Sequence, residues 1–281
     1  MSIQLIPYKP AGTIGSGPYV LREYKPDTGV DISALSITYT GAYTDYGMVT
    51  MSDGARYRLL AFTASGTLSI EQPVNCEVCV VGGGADGAKA TNYQGGDGGA
   101  GAYLKNQSVS AYNGGSVVVG ARQGVSSIAD VSVNAVSGQN GGTGGGGYYY
   151  GNGGTGDGLS KYPFGDTTYT LWASKPHCAG GGGAFTYDST ESGHDCYSGG
   201  DGGTNGGNGN KSTYVGNFIG TSGNPGKGGT YGGGLGGGRA SGGNFGNGGN
   251  ATYYGSAGGG SKATQGSGYQ GIVYMRIPVI Q

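Results

Sequence analysis

Gly228-Gly229-Thr230-Tyr231-Gly232-Gly233-Gly234-Leu235-Gly236-Gly237-Gly238-Arg239-Ala240-Ser241-Gly242-Gly243-Asn244-Phe245-Gly246-Asn247-Gly248-Gly249 is a stretch that neither a helix nor an ordinary sheet can scaffold. Ordering a glycine costs roughly 0.5–1 kcal/mol more than ordering an alanine, and glycine brings no side chain to bury. Yet a period of three runs through the stretch. Gly228, Gly234, Gly237, Gly243, Gly246 and Gly249 share one phase, interrupted by Tyr231 and Ala240. A left-handed helix of polyproline-II type has three residues per turn and no internal hydrogen bonds, so its amides must find partners on neighbouring chains. Each bond nets only about 0.5–1.5 kcal/mol, and a packed lattice needs many of them. Glycine is then required wherever one backbone touches another, and larger residues are confined to outer faces and end loops. The alternative is a low-complexity tract without fixed structure.

Outward from this stretch the same composition runs from Gly138 to Gly271. The blocks Gly141–Gly147, Gly180–Gly183 and Gly199–Gly209 alternate with tyrosine-rich segments. The glycines are interleaved with asparagine and tyrosine, whereas a spacer favours serine and charge. Further out, the pattern is β. Tyr57–Phe62, Thr67–Ile70, Cys76–Val81, Ala102–Val109, Ser116–Val119 and Val131–Val136 are short β-branched and aromatic runs. Turn signals at Asp53-Gly54, Ser65-Gly66, Asn113-Gly114-Gly115 and Ser137-Gly138 separate them. They predict a small antiparallel sandwich over residues 55–137. Gly271–Ile280 is a further apolar run that would be stranded at a polar terminus, so it is expected to pair back and complete the platform at 271–281. Residues 138–270 are then a glycine-rich insertion tied at both ends to one sheet. Residues 1–54, with Pro7, Pro10, Pro18 and Pro26, exclude long helices and read as an attachment or docking segment. The expected fold is mainly β plus irregular structure, with essentially no α-helix.

A formal net charge of −1 offers no global basic field, so nucleic acid is not an expected partner. Met1–Pro10 lacks the features of a secretory signal, and no apolar run reaches the eighteen or so residues of a membrane helix. Synthesis in a cytoplasm without export by the usual route is expected, with no membrane insertion. Gly82-Gly83-Gly84-Ala85-Asp86-Gly87 fits a dinucleotide-binding pattern after a strand, but residues 88–96 have no amphipathic period. In a chain with 70 glycines among 281 residues such a match is close to inevitable. Gly226-Lys227-Gly228 lacks the hydroxyl residue and strand of a phosphate-binding loop. Cys76 and Cys79, three apart on a strand, fall on opposite faces and read as buried hydrophobes. Asp188 and Glu191 could serve glycoside cleavage but read as solvated loop charges. No catalytic residue, cofactor or enzymatic activity is assigned.

Phe62–Leu68, Val78–Gly84, Gly98–Tyr103, Val117–Gly120 and Gly268–Val273, in that order, resemble the glycine-rich domain of bacteriophage tail fibres. The likeness covers roughly residues 55–281. The glycine block is also similar to the distal adhesins of T-even-type phages. That resemblance implies polyglycine-II helices packed in layers, with loops at their ends that recognise the host surface. It further implies a place at the fibre tip of a virion and a partner that is either another tail-fibre protein or the chain itself in a homotrimer. Residues 1–54 do not match those adhesins.

The aromatic loops between glycine blocks are the candidate receptor-binding residues: Tyr148, Tyr149, Tyr150, Tyr162, Phe164, Tyr169, Trp172, Phe185, Tyr187, His194, Tyr197, Tyr214, Phe218, Tyr253 and Tyr254. Tyrosine gives a flat apolar face and a hydroxyl at low conformational cost. The expected receptor is a bacterial glycan or outer-membrane protein, bound without chemistry. The competing reading is that these rings pack on one another to cap the lattice, and at least half are expected to be partly exposed. His177-Cys178 and His194-Asp195-Cys196 allow three states: a zinc site of unfamiliar spacing, free thiols, or a Cys178–Cys196 disulfide on an extracellular particle. No metal is assigned. Two other functions remain in view: a non-adhesive virion component such as a fibre connector or decoration protein, and an ice-binding glycine protein, whose regular threonine arrays are not evident.

Overall fold

The computed structural model describes residues 31–88, 98–133, 161–175, 177–181, 186–187, 196–197, 247–260 and 264–279. Among these the protein is mainly β, an antiparallel sheet of eight strands with no α-helix. Its strands are β1 (Ile37–Tyr39), β2 (Tyr43–Thr50), β3 (Arg56–Phe62), β4 (Gly66–Val81), β5 (Leu104–Val118), β6 (Ser126–Ile128) and β7 (Val131–Val133). A two-stranded pair, β8 (Thr186–Tyr187) with β9 (Cys196–Tyr197), stands apart, and β10 (Ile272–Pro278) closes the set. The sheet order is β2-β3-β10-β4-β5-β6-β7, with β1 on β4.

The C-terminal run is therefore the middle of the sheet, with Tyr274 opposite Ala61 on one side and Cys79 on the other. Alternate residues of β3, β4 and β10 feed two cores on opposite faces, which is why these strands read as continuous apolar runs. Leu60, Phe62, Leu68, Val78, Val80, Val273 and Met275 meet Val117, Ile128 and Val131 in the first core. Leu59, Ala61, Cys79, Val81, Ile272 and Tyr274 form the second, where Trp172, Ala102 and Cys178 cover them. Each fully buried Leu, Val, Ile, Phe or Met among them contributes about 1.5–3 kcal/mol. Cys76 lies in the first core and Cys79 in the second, on opposite faces as strand alternation requires.

Several boundaries differ from the sequence expectation. The sheet begins at Ile37 and not at residue 55, so β1 and β2, assigned by sequence to the docking segment 1–54, belong to the platform. Tyr43–Thr50 is an edge strand exposed along much of its length, and its weak apolar pattern hides it. Thr67–Ile70 and Cys76–Val81 are one strand, as are most of Ala102–Val109 and Ser116–Val119. Pro73 falls in the interval where the β4–β5 register shifts, a position where a strand tolerates proline. Asn113-Gly114-Gly115, a turn signal in sequence, sits inside β5, where Gly114 at φ 115° presses on the Leu68 carbonyl so closely that no Cβ would fit.

From the end of β4 and the start of β10 the backbone enters a region of extended glycine-rich segments, 82–88, 98–103, 177–181, 247–260 and 264–271, in which most glycines are buried. Their hydrogen bonds follow a count of three. Gly84 and Gly87 donate to Tyr269 and Gly266 at 2.8 and 2.9 Å, and Gly99 and Ala102 to Gly258 and Gly255 at 2.8 and 2.7 Å. Gly266 and Tyr269 donate to Gly259 and Ser256, and Gly248 and Ala251 to Thr264 and Ser267, all at 2.8 Å. A step of three along each donor meets a step of three along its acceptor. The amides of three consecutive residues, Ala257, Gly258 and Gly259, point three ways, to Ala179 and Ala85 on two other segments and to Gly249 on the earlier part of their own. Backbones this close leave no space for a side chain. A Cβ on Gly84 would fall on the Ser256 carbonyl, and one on Gly266 on the Gly249 carbonyl. The period-three stretch 228–246 itself lies outside the described residues.

Candidate functional site

The second core is covered by the loop 161–179, and Asp166 organises that loop. Its carboxylate accepts hydrogen bonds from the N–H groups of Ser52 (3.1 Å), Thr168 (3.0 Å) and Tyr169 (3.0 Å). Burial pushes this carboxyl up, but the donors from Ser52, Thr168 and Tyr169 outweigh it and bring it to about 2. The Asp166 carbonyl in turn accepts from Trp172 Nε1 at 2.6 Å, aiming the indole at the sheet. Just upstream, Pro163–Gly165 make a single 3₁₀ turn with Phe164 in the left-handed region at φ 57°. The Phe164 N–H donates to Asn106 Oδ1 at 3.0 Å. Its ring and that of Tyr57 enclose the Arg276 guanidinium, 4.5 and 4.3 Å from the two centroids, and Arg276 pairs with Glu77 at 2.8 Å.

His177 closes the loop. Its N–H donates to the Lys161 carbonyl at 2.8 Å, and its Nε2 lies 3.0 Å from the Tyr274 hydroxyl. Burial lowers its pKa to about 3, so the ring is neutral at ordinary pH. Tyr253 meets the imidazole edge-on at 5.0 Å, Tyr254 stacks on it at 6.2 Å, and Tyr254 meets Tyr269 edge-on at 5.6 Å. Trp172 touches Tyr274 at 5.5 Å and Tyr169 at 4.8 Å. The outcome is one continuous aromatic assembly, buried at Trp172, His177 and Tyr274 and reaching the surface through tyrosines.

Of the candidate receptor-binding residues, Tyr162, Phe164, Tyr169, Tyr253 and Tyr254 are half-buried and belong to this neighbourhood. Trp172 is corrected: fully buried, it is a core residue and offers no face to a receptor. Tyr187 and Tyr197 are described through their backbones alone, in the β8–β9 pair. Tyr148, Tyr149, Tyr150, Phe185, His194, Tyr214 and Phe218 lie outside the described residues. Cys178 is a free, buried thiol pushed up to about 12 by burial, and the side chain of Cys196 lies outside the described residues. Among the described residues no three His, Cys, Asp or Glu side chains gather as a metal site would require. The amides of Gly83, Gly84 and Gly87 are spent on the carbonyls of Gly124, Tyr269 and Gly266, so none is presented to a phosphate. Sequence reasoning passed over Tyr269 and Tyr274, because only folding brings these distant residues to the loop.

No protein-family model, curated protein or solved structure matches the chain.

Proposed function

We propose that the chain is a bacteriophage tail-fibre tip adhesin that recognises a bacterial surface receptor by binding alone. In this reading the glycine segments are polyglycine-II helices, inserted in a small antiparallel sandwich whose short strands β6 and β7 fold over the first core. The carrying observation is the fan of amides from Ala257, Gly258 and Gly259 in three directions, to Ala179, Ala85 and Gly249, as a helix with three residues per turn requires. A scaffold so bonded holds aromatic loops still before contact, so less ordering entropy is lost on binding. Several copies on a virion, as a homotrimer or with another fibre protein, would turn weak contacts into lasting attachment.

The test is adsorption of labelled full-length protein to a panel of intact bacterial strains. Saturable binding to some strains and not others, redirected when Leu159–Thr221 is exchanged for a different loop set, is expected. Equal retention by every strain, or by none, leaves the chain a connector or decoration component, and a loop exchange that abolishes particle assembly without altering host range argues the same.

A further inference from the structure

Strand β5 is distorted where it faces the β6–β7 hairpin. Between Val109 and Tyr112 it carries two residues, Ser110 and Ala111, opposite the single Asn75 of β4, and the Asn75 side-chain oxygen accepts from the Ala111 N–H at 3.0 Å. Ala111 adopts φ 51°. Across from this bulge the hairpin turns on two residues, Ala129 and Asp130, at φ 49° and 61°. A turn of that shape favours Asn-Gly, so local chemistry selects neither residue. Bulges re-aim side chains beside functional sites, and left-handed non-glycine residues collect there too.

Between β5 and the hairpin lies a cleft of about 670 Å³, a volume typical of small-molecule sites. Ser127 and Ser132 line it as cross-strand partners, so their hydroxyls stand side by side. Asn113, Ser116 and the exposed Asp130 add an amide, a hydroxyl and a carboxylate. Tyr112 forms part of the wall. It is 8% exposed, and its hydroxyl has no hydrogen-bond partner among the described residues. A Cβ built on Gly115 would meet only that oxygen, at 3.9 Å, apart from its own chain neighbours. The unpartnered hydroxyl therefore adjoins the space that Gly115 leaves open.

We propose that this cleft binds an amino sugar, with the ammonium at Asp130 and the ring hydroxyls at the serines and Tyr112. Serine and phenol hydroxyls both donate and accept, as sugar hydroxyls do, and the Asn113 amide also offers both. A carboxylate holds a charged donor more strongly than a neutral one, and Asp130 forms no ion pair with another described residue that would occupy it. Val109 and Ile128 give the ring C–H groups an apolar wall. The inference goes beyond the adhesin reading and does not need it, because the cleft lies at the first core and the aromatic assembly covers the second.

The experiment titrates the full-length protein with glucosamine, galactosamine and mannosamine, each beside its parent hexose, and with ethylamine, an ammonium without a ring. Binding is read by saturation-transfer NMR at about pH 6, where the amines and Asp130 are charged. At least one amino sugar is expected to bind about fivefold tighter than its hexose and than ethylamine. D130N should abolish that preference while keeping the fold, since Asn accepts a left-handed backbone as readily as Asp. Y112F removes a buried hydroxyl that is unpartnered in the free protein, so it should melt no lower than the parent, yet bind about fivefold more weakly. The proposal is overturned if no amino sugar binds, as for a cleft that holds only solvent, or if the hexose or ethylamine binds as tightly. It is equally overturned if D130N keeps the preference or if Y112F binds like the parent.

Discussion

At the scale of single residues, two of the described titrating groups, His177 and Asp166, tie stability to acid. His177 is held neutral with a pKa of about 3 because burial penalises its charge, against about 6.5 in an unfolded chain. A lowered histidine pKa means that protons favour the unfolded state. Its stability contribution is therefore intact above pH 6.5 and declines as pH falls from there to about 3, by about 2 kcal/mol at pH 5. Urea unfolding at pH 7 and pH 5 should show this loss, and H177F, which keeps a ring between Tyr253 and Tyr274, should flatten the slope. An unchanged slope in H177F would place the acid sensitivity elsewhere. Asp166 acts lower on the scale. Its carboxyl stands at about 2, where hydrogen bonds from Ser52, Thr168 and Tyr169 outweigh burial, so its contribution is present above pH 4 and disappears as pH falls through 2. D166A removes the acceptor for three N–H groups and is expected to cost about 1–3 kcal/mol at neutral pH. Near-UV circular dichroism should show Trp172 loosened in the same variant, because the indole N–H bonds the Asp166 backbone.

At the scale of elements, the glycine segments are where substitution should hurt most. G84A and G266A each drive a methyl group onto a carbonyl oxygen of a neighbouring segment. Separating the backbones also breaks hydrogen bonds, for an expected cost of at least about 3 kcal/mol. G54A is the comparison: Gly54 has φ 79° but open space around it, so alanine there should cost only about 1–2 kcal/mol. Denaturant midpoints of the three variants decide the matter, and equal losses would mean that close packing is not what demands glycine at residues 84 and 266. The same elements mark how much of the fold sequence conveys. Ile272–Ile277 is apolar at almost every position because both of its faces are covered, and it reads plainly as a strand. Tyr43–Thr50 does not, since an edge strand with one poorly buried face carries little pattern. Pro73 and Asn113-Gly114-Gly115 interrupt β4 and β5 in sequence because local chemistry cannot distinguish a register shift inside a strand from a turn between two. Tyr162, Phe164, Tyr169, Tyr253 and Tyr254 stand out as aromatics among glycines. His177 and Tyr274 acquire their meaning only from partners far away in the chain, and Trp172 misleads because an indole repays burial as readily as contact.

For the whole molecule, the expectation is that the glycine segments and the sheet unfold together, since Gly82, Gly83 and Gly271 bond directly to the backbone around β5 and β6. Amide exchange at Gly84, Gly99, Gly258 and Gly266 should then be as slow as in β4 and β10, within about tenfold. Rapid exchange at these glycines beside a protected sheet would mean that the segments open on their own. The position of β10 carries a further consequence for how the protein is made. Thr63–Ser65 join β3 to β4, yet these two strands do not pair with each other, because β10 lies between them. A ribosome delivers β10 only after everything from Gly82 to Gly271, so a growing chain carries an open apolar slot one strand wide until β10 emerges. Whatever occupies that slot in the meantime must leave when Ile272–Pro278 arrives. A chain halted short of β10 would keep the slot exposed for chaperones and proteases, so the arrival of β10 is itself the condition for a closed sheet.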